Sequence, residues 1–337
     1  MSSELAAGSA FGRVLRQATR SSLAALVLIC AASYAVLVVA SHGGQLSASS
    51  IRGFLTFLAV PILIGLAQLV TLCVGQMNLA VGAMGGASAA LMAVLMQNHH
   101  VPVLAALLIG LVLATVVGAA NGAIVVITKI NGFIVTLATM SIMLGVQYKL
   151  VQSFTIDRYS PALKTLGNAA VAGLLPTVFL VAVLAAVAVA VFFRYLVPGR
   201  QMLAYGGNAS AAQLSGISEA RVLIGAHTLS GALIGIASMV SVASLSGINR
   251  SIGGDWLLAS FAAPIIGGVA LTGGSVAVLG TVLAAVLVRL IDTAKAVFRL
   301  DPNWVPFIVG AVVLGAVLIS TLRARIEVRR RMGARQS

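Results

Sequence analysis

Acidic residues are nearly absent: the chain of 337 residues holds seven Asp and Glu, and charged residues of both signs make up only 8%. Soluble domains carry roughly a quarter charged residues, so this composition excludes an ordinary water-facing surface. Cysteine is as scarce. Cys30 and Cys73 are the only two, both inside apolar runs, which excludes a disulfide framework and zinc-ligand spacing and leaves them as packing residues. His99 and His100 stand together beside Pro102, but without a third ligand nearby they read as a solvated turn rather than a metal site. No G-x-x-x-x-G-K-[ST] sequence occurs, so the chain cannot bind ATP by that route.

What is present is apolar. Hydrophobic residues make up 60% of the chain and the mean hydropathy is +1.09. A helix rises about 1.5 Å per residue and the hydrocarbon core is ~30 Å thick, so the length suits about ten spans of roughly 20 residues with short connections. The runs fall at Leu23–Ala40, Phe54–Val74, Leu79–Met96, 102–128, Phe133–Val151, Leu174–Phe193, Val222–Ser246, Trp256–Leu271, Val276–Val297 and Trp304–Leu322. The expected fold is therefore an all-α integral membrane protein with about ten transmembrane helices. Residues 1–21 form an N-terminal arm, 22–322 one polytopic domain, and 323–337 a basic tail. Arg13, Arg16 and Arg20 precede a first run that is too long for a signal peptide and lacks a clean cleavage context, so it reads as an uncleaved span.

The formal net charge of +14 does not point to nucleic acid, because the cations lie outside the apolar runs, above all Arg323, Arg325, Arg329, Arg330, Arg331 and Arg335. Such clusters report cytoplasmic flanks and anionic lipid headgroups. Ten spans put both termini on one side, together with Lys129, Arg194, Arg200 and Arg221, and the positive-inside rule makes that side cytoplasmic. Arg52, Arg158, Lys164, Arg250 and Arg299 fall on the other side, so the bias is real without being absolute.

One polar island interrupts this pattern, GRQMLAYGGNASAAQLSG over Gly199–Gly216. Asn208 is a good N-cap, Ala209–Leu214 suits a short helix, and Gly216 suits its left-handed stop. A capped helix between long apolar segments reads as a docking knob or, more plainly, as a capped loop. Thirty-five glycines permit close helix approach, and Gly82, Gly85, Gly86 and Ser88 make one such face. Asn121, Thr136, Thr139, Ser141, Gln147 and Asn249 either line a hydrated path or form helix–helix hydrogen bonds. Arg289, Asp292 and Lys295 share one helical face, as a charged patch at the outer mouth or as residues that snorkel to the interface.

Four blocks, in order, resemble one family: GQMNLAVG at 75–82, GAANGAIVVITKINGFIVTLATMSIMLG at 118–145, GRQMLAYGGNASAAQLSGIS at 199–218, and IIGGVALTGG at 265–274 with Gly280 and Thr281 behind it. Over residues 50–320 the chain is similar to the permease subunits of ribose-type and related monosaccharide ABC importers. The resemblance implies a type II-like ABC importer permease architecture and a dimer with a second permease chain, like or unlike. It also implies an ABC ATPase subunit on one side, which binds the ATP and Mg, and a periplasmic solute-binding protein on the other. This chain then carries no cofactor, and its place is the bacterial inner membrane. By the resemblance, Gly199, Arg200, Tyr205, Gly206, Gly207, Asn208, Leu214 and Gly216 couple to the ATPase, with Tyr205 and Leu214 as contacts and Asn208 and the glycines setting the backbone. The candidate translocation path is Asn78, Asn121, Phe133, Thr136 and Asn249.

The chain departs from the family pattern where an aspartate is common at Asn78 and near Ala259, where Ser275 and Val276 replace Arg-Gly, and where Asn131 and Gly132 replace Pro-Pro. A missing intramembrane carboxylate argues against a proton relay. The rival readings are an ion-coupled secondary transporter, disfavoured by the scarcity of acidic residues in the spans, and a membrane scaffold that transports nothing.

Overall fold

The computed structural model describes residues 22–299, apart from a few positions between 153 and 172, and residues 310–311. The arm 1–21, the span expected at Trp304–Leu322 and the basic tail lie outside the described residues, apart from those two positions. Where no water reaches the backbone every N–H and C=O must bond within the chain, and an apolar run meets that demand as a helix. The element order is α1 (Ser22–Ala40), α2 (Ala48–Cys73), α3 (Val81–Asn98), α4 (Val103–Thr128), α5 (Gly132–Val151), a small antiparallel hairpin of β1 (Ala170–Val171) and β2 (Leu175–Pro176), α6 (Thr177–Tyr195), α7 (Val197–Gly207), α8 (Ala209–Leu214), α9 (Glu219–Ser244), α10 (Trp256–Ile266) and α11 (Val278–Phe298).

Among the described residues seven helices, α1 to α6 and α9, are long and apolar enough to cross a membrane. Helix α11 has the length as well, 21 residues, but carries Arg289, Asp292 and Lys295. Helix α10 corrects the expected span Trp256–Leu271. It has 11 residues, or roughly 16 Å of rise, about half the hydrocarbon thickness. The chain leaves the helix at Gly267, and Gly268, Gly273 and Gly274 adopt φ of 93°, 91° and 75°, which side chains with a Cβ rarely take. Residues 267–277 run without helix from the end of α10 to the start of α11, with Gly268, Ala270 and Thr272 exposed.

Helices α2, α3 and α9 form the centre. Ile62, Leu63, Leu66, Leu69 and Leu72 of α2 are essentially inaccessible and pack in one core with Met84 and Met92 of α3 and Ile234 of α9. Close approach depends on glycine: Gly118 and Gly122 of α4 face the His227 and Ile224 backbone of α9, and Gly231 returns the contact against Ala114. Lipid tails are as apolar as leucine, so such contacts rest on packing rather than on the hydrophobic effect. Helices α1, α4, α5 and α6 leave large apolar faces uncovered, with Val39, Ile127, Ile142 and Leu184 all exposed. These are the faces that a bilayer or another membrane subunit covers.

Candidate functional site

The polar island folds as its local chemistry dictates. Helix α6 stops at Tyr195, Leu196 turns extended, and Pro198 sits in the first turn of α7, where its missing N–H costs nothing. A Cβ on Gly199 would strike the Phe192 carbonyl, so glycine lets α7 fold back on the end of α6. Asn208 closes α7 and opens α8: its Oδ1 accepts from the Ala211 N–H at 3.0 Å. Helix α8 ends in a Schellman turn, with the Ile217 N–H donating to Ala212 O at 3.0 Å, the Gly216 N–H to Gln213 O at 2.9 Å, and Gly216 at φ 82°. The N-cap, the six-residue helix and the left-handed glycine thus stand where the sequence put them.

Leu214 projects from this helix 92% exposed, the most exposed large apolar side chain among the described residues. Tyr205 is the opposite, and corrects the expectation that it offers a surface contact: it is buried against the bundle. Burial and the nearby Glu219 carboxylate push its phenol above the ordinary value, so it stays neutral beside that carboxylate. Glu219 accepts from Lys129 Nζ at 2.9 Å and Gln213 Nε2 at 3.3 Å. One carboxylate of α9 therefore ties α8 and the end of α4 together, with Tyr205 of α7 nearby. Sequence reasoning missed it, and its position one residue after the Ser218 N-cap, where a helix favours an acid, was the available signal.

Below the island lies a junction made of glycine backbone. The Gly274 N–H donates to the Cys73 carbonyl at 2.8 Å. A Cβ on Gly206 would collide with that same carbonyl, one on Gly273 would lie 2.8 Å from Gly75 N, and one on Gly274 would lie 2.6 Å from the Gly207 Cα. Three segments, the end of α2 with its GQMN turn, the end of α7, and the turn at 272–274, thus meet main chain to main chain. Gly207 itself has room, since its nearest neighbour to a built Cβ is 4.0 Å away. Arg200 is exposed beside the junction and makes no part of it.

The five path candidates separate. Asn78 and Thr136 come together just above the junction. Thr136 Oγ1 accepts from the Leu79 N–H at 3.1 Å and donates to Gly132 O, while Asn78 Oδ1 accepts from the Ala80 N–H and its Nδ2 donates to Ser230 Oγ at 3.2 Å. The Gln68 amide pairs with the Asn78 backbone in the orientation that satisfies both atoms. Both side chains are fully buried, and each makes one bond between segments, Asn78 to Ser230 and Thr136 to Leu79, beside one local bond. Asn121 is buried and takes the Thr139 hydroxyl at 2.6 Å across α4 and α5. Phe133 faces outward at 44% exposure, away from the other four. Asn249 alone lines open space.

That space is a cavity of about 470 Å³ at the end of the bundle opposite the island. Its walls include Thr56, Phe57 and Pro61 of α2, Ser241 and Ser244 of α9, the loop 245–255, and Arg289 and Asp292 of α11. The glycine face of α3 holds the floor. A Cβ on Gly82 would strike the Gly253 carbonyl, one on Gly85 the Trp256 ring, and one on Gly86 would crowd Ile252 O, to which Gln147 Nε2 donates at 2.9 Å. Within the loop that lines the cavity, Ile248 exchanges backbone hydrogen bonds of 2.9 and 2.8 Å with Ile156.

The described residues thus form a polytopic helical bundle with a capped knob at one end and a polar cavity at the other. The chain belongs to the family described as branched-chain amino acid transport system / permease component, whose model matches residues 50–319. It is accordingly a multi-pass membrane transport subunit of ABC-importer type rather than an enzyme. Among its relatives are the autoinducer 2 import system permease protein LsrC of Enterobacter sp. (strain 638), 28% identical over 84% of this chain and 82% of that one. The galactose/methyl galactoside import permease protein MglC of Escherichia coli is 26% identical over 82% and 88%. The fructose import permease protein FrcC of Rhizobium meliloti is 26% identical over 90% and 87%. No solved structure matches the chain.

Proposed function

We propose that this chain gives a small hydroxylated solute, a monosaccharide or close derivative, an alternating-access path into the cytoplasm, powered by a separate ATPase that docks on Gly199–Gly216. The observation that carries this reading is Leu214, an apolar side chain 92% exposed on a helix capped at both ends and anchored through Glu219 and the glycine junction. A freely exposed leucine on a rigid support fits an apolar pocket in a partner. The names of the three relatives supply the solute class. The ATPase holds ATP and Mg, a periplasmic binding protein delivers solute, and a second permease chain and membrane lipid cover the apolar flanks. In this reading the island and both termini face the cytoplasm, the side that the arginine distribution favours.

Asn208→Ala in the full chain tests the docking. Loss of an N-cap costs about 0.5–2 kcal/mol, enough to leave a six-residue helix frayed much of the time. Membrane insertion is expected to be unchanged while co-purification of the ATPase falls about tenfold. Undiminished co-purification would sink the docking assignment.

A further inference from the structure

The cavity opposite the island carries more polar chemistry than helix packing explains. Ionisable side chains at membrane depth are costly, face the bundle interior or a hydrated cavity, and mark substrate pathways. Here Arg289 and Asp292 of α11, both half-buried, line one cavity together with Asp255, which is exposed in the loop before α10. Their charges cancel locally, since Asp292 is paired with Lys295 at 3.0 Å, leaving Asp255 and Arg289 as one acid and one base. Arg289 does not snorkel away. Its guanidinium lies 5.1 Å from the centre of the Phe57 ring, and its buried Nε has no hydrogen-bond partner in the protein. Pro61 has no N–H for the Phe57 carbonyl, so this wall also lacks one helical hydrogen bond. Ser244, Ser246 and Asn249 add neutral donors and acceptors, and Val60, Ile64 and Trp256 form an apolar side.

We infer that this cavity is a binding site within the permease for one neutral polyhydroxylated molecule, the solute of the reading above, on which this inference rests. The cavity is an open cleft rather than a closed chamber, and its volume of about 470 Å³ lies within the ~300–1,000 Å³ of small-molecule sites. A sugar ring offers hydroxyls that both donate and accept, which suits carboxylate, guanidinium and serine together, and C–H faces that suit the apolar wall. A charged solute finds no net charge to complement its own and leaves its hydration shell uncompensated. The cavity follows α2 from Thr56 to Ile64, roughly 12 Å, so it reaches from its end of the bundle inward toward the middle of that 26-residue helix. The permease itself thereby discriminates, in addition to any partner that delivers the solute.

The test is saturation-transfer NMR on the full-length permease in lipid nanodiscs. The probes are D-galactose, D-ribose and D-fructose, with galacturonate and glucosamine as charged counterparts. At least one neutral sugar is expected to bind and the charged pair not. Arg289→Gln, which removes a charge-assisted donor, and Ala259→Leu, which fills the cavity without touching a polar group, are each expected to weaken binding about tenfold or more. Failure of all three neutral sugars to bind, equal binding of the charged pair, or unchanged binding in both variants would overturn the site. ATPase co-purification separates the two readings: a permease that captures its ATPase but binds no sugar refutes the cavity and spares the importer, whereas one that binds sugar but captures no ATPase does the reverse.

Discussion

Gly206→Val is expected to abolish ATP-driven uptake while leaving the chain inserted and its partner ATPase bound. The position admits no side chain, because the first carbon would collide with the Cys73 carbonyl and lie 2.6 Å from Gly274 N. Both are backbone atoms, so no rotamer can give way. Overpacking a well-filled site costs about 1–3 kcal/mol where side chains can adjust, and more where only the main chain can. The cheapest relief is to part α7 from the end of α2, which breaks the Gly274 to Cys73 hydrogen bond beside it. The knob would still bind its motor through Leu214 but no longer transmit displacement to the spans. Gly207→Ala is the matched control, since the space beside it accepts a methyl group. Uptake into vesicles with ATP, measured beside ATPase co-purification, checks both. Uptake of the Gly206→Val protein at the rate of the Gly207→Ala protein would contradict the junction's role.

Gly82→Val has the next largest expected effect, and it acts at the other end. The added side chain would strike the Gly253 carbonyl and come within 3.5 Å of Trp256 Cβ, while Gly253, at φ 82°, meets the Gly82 carbonyl in return. The loop 245–255 cannot retreat freely. It is held by Gln147 through the Arg250 and Ile252 carbonyls and by the Ile156–Ile248 pair. Displacing it opens the floor of the cavity and unseats α10, whose N-terminal Trp256 ring covers Gly85. A loss of several kcal/mol is expected, of the order of burying a side chain where none fits plus the hydrogen bonds forfeited. Thermal unfolding in detergent should show a clear drop in midpoint for Gly82→Val and little change for substitution of Gly53, whose Cβ would meet nothing. Equal midpoints for the two would show that the glycine face is dispensable.

The features legible in the sequence are those set by chemistry within a few residues. Asn208, the helix behind it and Gly216 were readable because capping needs only neighbouring N–H and C=O groups. The Gly82, Gly85 and Gly86 face was readable from helical spacing, although its partner, the loop at 252–256 some 170 residues onward, was not. Helix α10 was overextended for a physical reason. Residues 267–271 are as apolar as a span, and hydropathy is blind to the left-handed backbone at Gly268 that forbids helix. Pro264 marks that run as short and interrupted, although the helix continues past it to Ile266.

Tyr205 and Phe133 show the limit of carrying roles over by resemblance. The motif makes Tyr205 a contact, yet its side chain is buried beside Glu219. The 118–145 block brings Phe133 to the path, yet it faces out, because the exterior of a membrane helix is as apolar as its core. The cavity was least legible of all. Arg289 and Asp292 were visible as a pair on one helix, but Asp255, Ser244 and Asn249 join them only through the packing of α2, α9 and α11.

The central claim is that α8 is the surface on which the ATPase engages, and a photo-crosslinking residue in place of Leu214 tests it most directly. In membranes holding the whole assembly, crosslinks to the ATPase are expected from position 214 and not from position 205, and their yield is expected to differ between ATP-bound and nucleotide-free states. Crosslinking from position 205 with none from 214, or no ATPase crosslink from either while the assembly remains intact, would contradict the account.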